Sequence, residues 1–338
     1  MVLAIVCPGQ GSQTPGFLAP WLEVPDVAER LRWLSAVAGI DLVAHGTTSD
    51  ADTIRDTAVA QPLIVAAGLV ALPALLPDTV RDPDDAAAVA DVVAGHSVGE
   101  LTAAALAGVL TAEQALVLVR ERGRAMAEAS AVTPTGMSAV LGGNPEEVAA
   151  AIEEHGLTAA NRNAAGQVVA AGTLEQLAAL AAAPPARTRI VPLQVAGAFH
   201  TAHMAPAVDV LGGYARAIMP RDPRTRLLSN ADGAAVASGT EALRRIVDQV
   251  SSPVRWDACS ATLAELGVTG LLELPPAGTL AGLAKRGLPG VEIVALKTPE
   301  DLPAARALVQ THAMRATGSA AAAPTIDRGL TPASGGTA

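Results

Sequence analysis

Aromatic residues are nearly absent from this chain: two Phe, one Tyr and three Trp in 338 positions. The apolar half is therefore mostly Ala, Val and Leu, small side chains that let backbones approach closely. Cysteine is equally scarce, and Cys7 and Cys259 cannot build a disulfide framework or a zinc site of the usual cysteine count. Positive charge is short as well. Lys and Arg number 23 against 33 Asp and Glu, a formal net charge of −10. That balance excludes a general nucleic-acid binder, because neutralising phosphates needs surplus cations. Long apolar runs are missing too: the longest, residues 63–76, covers about 14 positions with Pro73 inside it, short of a bilayer span. No basic stretch precedes the first apolar run, so the N-terminus does not read as a signal peptide. A cytoplasmic monomer with no membrane partner is expected.

What is present is an alternation of strands and helices. Residues 2–7 form an apolar run closed by Pro8-Gly9, which reads as a buried strand feeding a loop. Residues 59–76 read as a helix, 77–85 as an acidic turn, and 88–94 as a second buried strand. Residues 100–110 have helical spacing, and Thr111 with Gln114 forms a capping-box pattern for a helix reaching about Ser130. Such alternation predicts a mostly parallel sheet. Between 135 and 195 the rhythm changes. Strand 136–142, helix 145–155, strands 157–160 and 167–171, helix 174–182 and strand 189–195 follow one another. The two middle strands are joined by what reads as a polar turn, Asn161-Arg162-Asn163. That βαββαβ order predicts a small ferredoxin-like module inserted into the larger domain. The larger domain then resumes, with strands expected at 227–229 and 271–274. From about Arg315 the chain is mostly Ala, Gly, Thr, Ser and Pro, and reads as a disordered tail.

The second strand runs directly into Gly95-His96-Ser97-Val98-Gly99, the nucleophile-elbow pattern, with a helix following. A sharp strand-to-helix turn strains Ser97, needs small flanking residues, and leaves the Val98 N–H at a helix N-terminus facing a developing oxyanion. A plain βα turn with two glycines has the same letters. Serine needs a base. His45 falls in a loop, His155 closes a helix, His312 borders the tail, and His96 points away from its neighbour Ser97. His200 and His203 remain, in a small-residue turn that follows an apolar strand. Their HxxH spacing lacks a third ligand, so no metal is expected. Between Ser97 and His200 the carboxylates mostly fall on helices with solvent-facing spacing. That points towards a Ser–His dyad whose imidazole is oriented by something other than Asp or Glu, a backbone carbonyl being one candidate.

One cation stands out. With 100° per residue from Ala115, the side chains of Leu118, Val119, Arg122, Met126 and Ala129 fall within about 60° of Ala115, forming one apolar stripe. Arg120, Glu121, Arg124 and Glu128 fall opposite, where solvated charges belong. A guanidinium on the core-facing stripe must meet a carboxylate. An internal salt bridge is the ordinary answer, and a substrate carboxylate is the other.

These residues resemble one family, the malonyl-CoA:acyl carrier protein transacylases of bacterial fatty-acid synthesis. The motifs carrying the resemblance are Pro8-Gly9-Gln10-Gly11-Ser12-Gln13, Gly95-His96-Ser97-Val98-Gly99-Glu100 and Arg122-Gly123. Asn161 through Gly166, Gly197-Ala198-Phe199-His200 and Pro253-Val254-Arg255-Trp256 follow in the family's order. The resemblance implies Ser97 as the acylated nucleophile, His200 as base, and the Gln10 and Val98 N–H groups as the oxyanion hole. It implies Arg122 as the malonyl-carboxylate ligand, with Phe199, Asn161 and Met126 also binding substrate, and Gln249 orienting the histidine through its backbone carbonyl. Phe199 resembles the malonyl-selective version. Thr201-Ala202-His203 departs from the commonest version. The implied fold is α/β: an α/β-hydrolase-like domain (residues 1–132 and 197–312) with a mostly parallel sheet, plus a ferredoxin-like subdomain (133–196) and a tail (313–338). Malonyl-CoA and acyl carrier protein are the implied partners, with no cofactor. Transfer of another extender unit such as methylmalonyl, serine hydrolysis, or carrier-protein binding without catalysis are the alternatives. Both implied partners are anionic, so recognition by this acidic chain must rest on local cations. The 23 basic residues include only two lysines, Lys285 and Lys297, leaving 21 arginines to build a basic rim.

Overall fold

The computed structural model describes residues 1–76, 89–195 and 197–313. The acidic turn expected at 77–85 and the tail from Arg315 lie outside the described residues. Eleven strands are described: β1 (Leu3–Cys7), β2 (Val92–Gly95), β3 (Thr135–Gly142), β4 (Thr158–Ala164), β5 (Gln167–Thr173), β6 (Thr188–Pro192), β7 (Arg226–Leu228), β8 (Ala235–Val236), β9 (Val254–Arg255), β10 (Gly270–Glu273) and β11 (Glu292–Ala295). They form two mixed sheets between helices, an α/β architecture.

The first sheet has the order β11-β10-β1-β2-β7-β8, parallel except for the β7–β8 pair. Every residue of β1 and β2 is buried, as expected for central parallel strands covered on both faces. The second sheet runs β6-β3-β5-β4-β9, antiparallel except where β4 meets β9. Its first four strands and the helices Pro145–Glu154 and Leu174–Ala182 follow the expected βαββαβ order. The fifth, β9, comes from chain well beyond that span. Asn161, Arg162 and Asn163 lie within β4 rather than in a turn: Asn161 and Arg162 pair with Val169 and Val168 of β5 on one side and with Val254 and Arg255 on the other. The chain reverses later, at Ala165-Gly166, where Gly166 takes a positive φ of 73°.

The helix Thr57–Leu75 is buried almost all round and is capped by Asp56, whose carboxylate accepts from the Ala58 N–H at 2.7 Å. At 19 residues it is long and apolar enough to cross a membrane, longer than the apolar run counted in the sequence, but 78% of that stretch lies inside the protein. Core packing accounts for its composition. Against it lies the helix Ala112–Val132, which begins with the expected capping box between Thr111 and Gln114. Glu121 on this helix is buried rather than solvated, with an oxygen 2.6 Å from Arg120 Nε. The two helices approach closely at Gly123, where an added Cβ would lie 2.8 Å from the Thr57 carbonyl oxygen. A Gly123→Val change should overpack this contact, lowering stability by about 1–3 kcal/mol as read from the urea midpoint; an unchanged midpoint would mean that the helices separate freely.

Candidate active site

The site lies at the carboxyl ends of β1 and β2, adjacent parallel strands whose exit loops carry Gln10 and Ser97. Both glycines of the elbow are required by close approach. A Cβ on Gly95 would fall 2.0 Å from the Gly99 carbonyl carbon, and one on Gly99 would fall 2.2 Å from the Cys7 oxygen. Ser97 itself sits at φ 52°, a left-handed conformation that costs a non-glycine residue roughly 1–3 kcal/mol. The helix Gly99–Leu106 starts two residues later.

His200 arrives from the loop before the helix Ala205–Ala215, also in the left-handed region with φ 62°. Its Nε2 lies 2.7 Å from Ser97 Oγ. Its Nδ1 lies 2.7 Å from the Gln249 carbonyl oxygen, so Nδ1 carries the proton and donates it there. That fixes the tautomer with a bare Nε2 facing the serine. The Nδ1 partner is thus a backbone carbonyl and not a carboxylate. Burial and the neighbouring Arg122 charge push the His200 pKa down to about 3, against the Gln249 carbonyl, which favours the cation. The imidazole is therefore neutral at physiological pH, ready to accept a proton.

Arg122 is 1% exposed and has no carboxylate partner among the described residues. Its Nη1 donates to Gln61 Oε1 at 2.6 Å and its Nη2 to Gln249 Oε1 at 2.9 Å, both neutral amides. Nη2 also reaches Ser97 Oγ at 3.4 Å, and Nε is buried without a partner. The internal salt bridge favoured on general grounds is absent. Glu100 is the nearest acidic influence, acting across the Gln249 amide, whose Nε2 donates to Glu100 Oε2. Burial pushes the Glu100 pKa up to about 8, against the pull of the Arg122 charge, which weakens its hold on the cation at neutral pH. Burial lowers Arg122 itself to about 10, still charged.

Phe199 and Met126 are buried, and the Met126 sulfur lies 3.4 Å from Gln61 Nε2. Asn161 has a buried Oδ1 without a partner, and no hydrogen bond joins it to Ser97, His200 or Arg122. Its strand neighbour Asn163 holds His96 instead, with Oδ1 2.8 Å from Nε2, and the His96 ring tilts against Trp256. His203 is exposed, His45 lies on the short helix Leu42–Thr47 beside Ser49, His155 caps its helix, and His312 bridges Thr269 and Glu292. Cys7 and Cys259 are buried with thiol pKa values pushed up, so neither offers a thiolate nucleophile. The Ser97 N–H is engaged by Asn230 Oδ1 at 2.8 Å.

Beside Thr57, which accepts from the Gln10 amide, opens a cleft of about 650 Å³ lined by Asp52, Arg55, Asp56, Ala127, Ser130, Gln194 and Val195. Its single arginine is paired with Asp52 at 2.6 Å. The rim on this side is mixed, and the expectation of a basic rim is not met there. Sequence reasoning also missed Gln61, Asn163 and Asn230. Gln61 had a signal: it is an amide inside an otherwise apolar helix.

A serine activated by a neutral histidine, beside a buried cation, defines a site for acyl-group transfer. The chain belongs to the acyl transferase domain family, whose model matches residues 4–320. The malonyl CoA-acyl carrier protein transacylase of Mycobacterium tuberculosis is 52% identical over 301 residues, which cover 89% of this chain and 98% of that protein. The crystal structure of MCAT from the same organism superposes with a TM-score of 0.85 at 51% identity, covering 89% of this chain and 98% of that one. A type II PKS acyl-carrier protein in complex with its malonyl-transacylase gives 0.83 at 31% identity, covering 91% and 99%.

With His200 neutral down to about pH 4, acylation of Ser97 by a neutral ester should be flat between pH 5 and 7. A limb near pH 6.5 in single-turnover rates would mean that the imidazole titrates as in water.

Proposed function

We propose that this protein transfers a malonyl group from malonyl-CoA to the phosphopantetheine thiol of acyl carrier protein through a malonyl ester on Ser97. The observation that carries the reading is Arg122: a buried guanidinium whose partners are neutral amides and whose Nε is unpaired. An uncompensated cation there costs several kcal/mol, which a substrate carboxylate would offset. Acetyl or longer neutral acyl groups would leave it unpaired.

In the first half-reaction the free carboxylate lies on Arg122 and the thioester carbonyl points to the Gln10 and Val98 N–H groups. His200 Nε2 takes the Ser97 proton as Oγ attacks, forming a tetrahedral oxyanion. Collapse breaks the C–S bond, and the imidazolium returns the proton to the CoA sulfur. In the second half-reaction the carrier thiol gives its proton to His200 and attacks the ester, and Ser97 is restored. The engagement of the Ser97 N–H by Asn230 supports Val98 and Gln10, rather than Ser97, as oxyanion donors. Each is worth on the order of 2.7–4 kcal/mol. Phe199 and Met126 would wall the acyl pocket, and Asn161 would offer its unpartnered Oδ1 to substrate.

The same reading takes the parallel sheet as a hydrolase-like domain (1–132 and 197–312) and residues 133–196 as a ferredoxin-like subdomain. The strand order β6-β3-β5-β4 with its βαββαβ sequence supports the latter. Use of CoA and carrier-protein thioesters fits a cytoplasmic enzyme.

Two outcomes follow. Mass spectrometry after mixing with malonyl-CoA should find a malonyl adduct on Ser97, abolished by Ser97→Ala; an unmodified wild-type chain would overturn the mechanism. Arg122→Ala should cut malonyl transfer about 10²-fold or more while narrowing the preference over acetyl-CoA. Unchanged selectivity in a competition assay would leave Arg122 a structural residue.

A further inference from the structure

Asn230 stands in the loop joining β7 to β8, fully buried, and every polar group it owns is engaged. Its Oδ1 accepts from the Ser97 N–H at 2.8 Å and from Gln249 Nε2 at 3.1 Å. Its Nδ2 donates to the Gly95 carbonyl at 2.7 Å, with Cys259 Sγ at 3.6 Å. Its backbone N–H donates to Glu100 Oε1 at 2.5 Å, and its carbonyl accepts from the Arg255 N–H at 2.8 Å.

One side-chain amide therefore grips the elbow on both sides of His96, holding an acceptor at residue 95 and a donor at residue 97. β7 is the parallel neighbour of β2, with Val92 opposite Arg226 and Val93 opposite Leu227, so its exit loop is delivered to the elbow. Asparagine is the residue this needs, since it presents an acceptor and a donor on one planar group. Alanine would leave the Ser97 N–H and Gly95 carbonyl unpaired inside the protein. Ser97 persists at φ 52° only if its surroundings over-determine it, and the two Asn230 bonds span that strained peptide.

We propose that Asn230 is a positioning residue for acyl transfer: it clamps the strained elbow so that Ser97 Oγ meets His200 and the Val98 N–H, not the Ser97 N–H, is left to face the oxyanion. Gln249 extends the clamp. The same residue binds Asn230 and Arg122 through its side chain and His200 through its carbonyl, so nucleophile, base and carboxylate ligand share one scaffold. Asn230 acts on the chemical step and not on substrate affinity.

This rests on Ser97 being the acylated nucleophile, and the test separates the two. Wild type, Asn230→Ala and Asn230→Asp are mixed with malonyl-CoA and, separately, with p-nitrophenyl acetate, which has no carboxylate for Arg122. Single-turnover acylation is followed as a function of substrate concentration, with folding monitored by thermal melting. If wild type is not acylated, the functional reading fails. If it is, Asn230→Ala should slow acylation about 10²-fold with both substrates while half-saturation for malonyl-CoA changes less than about threefold. Asn230→Asp, of equal size, keeps the acceptor but not the amide donor and should lose about tenfold. Wild-type rates in either variant, a loss confined to malonyl-CoA, or a change in half-saturation alone would each overturn the proposal. Should Asn230→Ala fail to fold, Asn230→Asp decides by the same criteria.

Discussion

Arg122 holds a full positive charge inside the protein between two glutamine side chains. Charge in that setting is tolerated only where geometry supplies every available neutral acceptor or where an anion arrives from outside. Gln61 and Gln249 supply two acceptors, and Glu100, its pKa raised by burial, stands behind the Gln249 amide rather than against the guanidinium. The same field falls on His200 and, together with burial, helps keep its ring neutral. On the proposed function, one buried cation thus bears both on the acyl preference and, with burial, on the protonation state of the base.

Strain is the second organising quantity. Ser97 and His200, the two residues whose side chains meet at 2.7 Å, both have left-handed backbones. Neither turn relaxes because each is tied at the main chain: Ser97 by Asn230 and Gln249, and His200 by the Val250 carbonyl. The polar ties converge on Gln249, whose position at the end of the helix Gly239–Asp248 is itself buried. Satisfied ties of this kind rigidify a core, while the Arg122 Nε beside them is left without a partner.

Much of this was legible because it is local. The runs at β1 and β2, the glycines of the elbow and the Thr111–Gln114 box carry their structural reasons within a few residues. Ser97, His200 and the misplaced charge of Arg122 were legible for the same reason: each breaks or completes a short-range pattern. Non-local pairing was not. Asn161 to Asn163 have turn composition but lie in strand, paired on one side with β5 and on the other with β9, some 90 residues on, and context overrides propensity in sheets. Glu121 lies on the polar side of its helix yet is buried against Arg120. Asn230 sits in a Ser-Asn-Ala-Asp-Gly stretch whose composition signals only a turn, so nothing in its neighbourhood announced a link to Ser97.

β9 has a bearing on how this enzyme class can be re-engineered. Residues 133–196 look like a cassette, bounded by two crossings of the chain, that could be exchanged between relatives. The sheet it builds is not self-contained, however, because Val254 and Arg255 close its edge beside β4, and the Arg255 N–H is anchored on Asn230. A transplanted cassette would expose a bare strand edge unless it matched the host's β9. Successful chimaeras should therefore be those that carry the 253–256 segment along with the insert, so that modularity in sequence and modularity in space follow different borders.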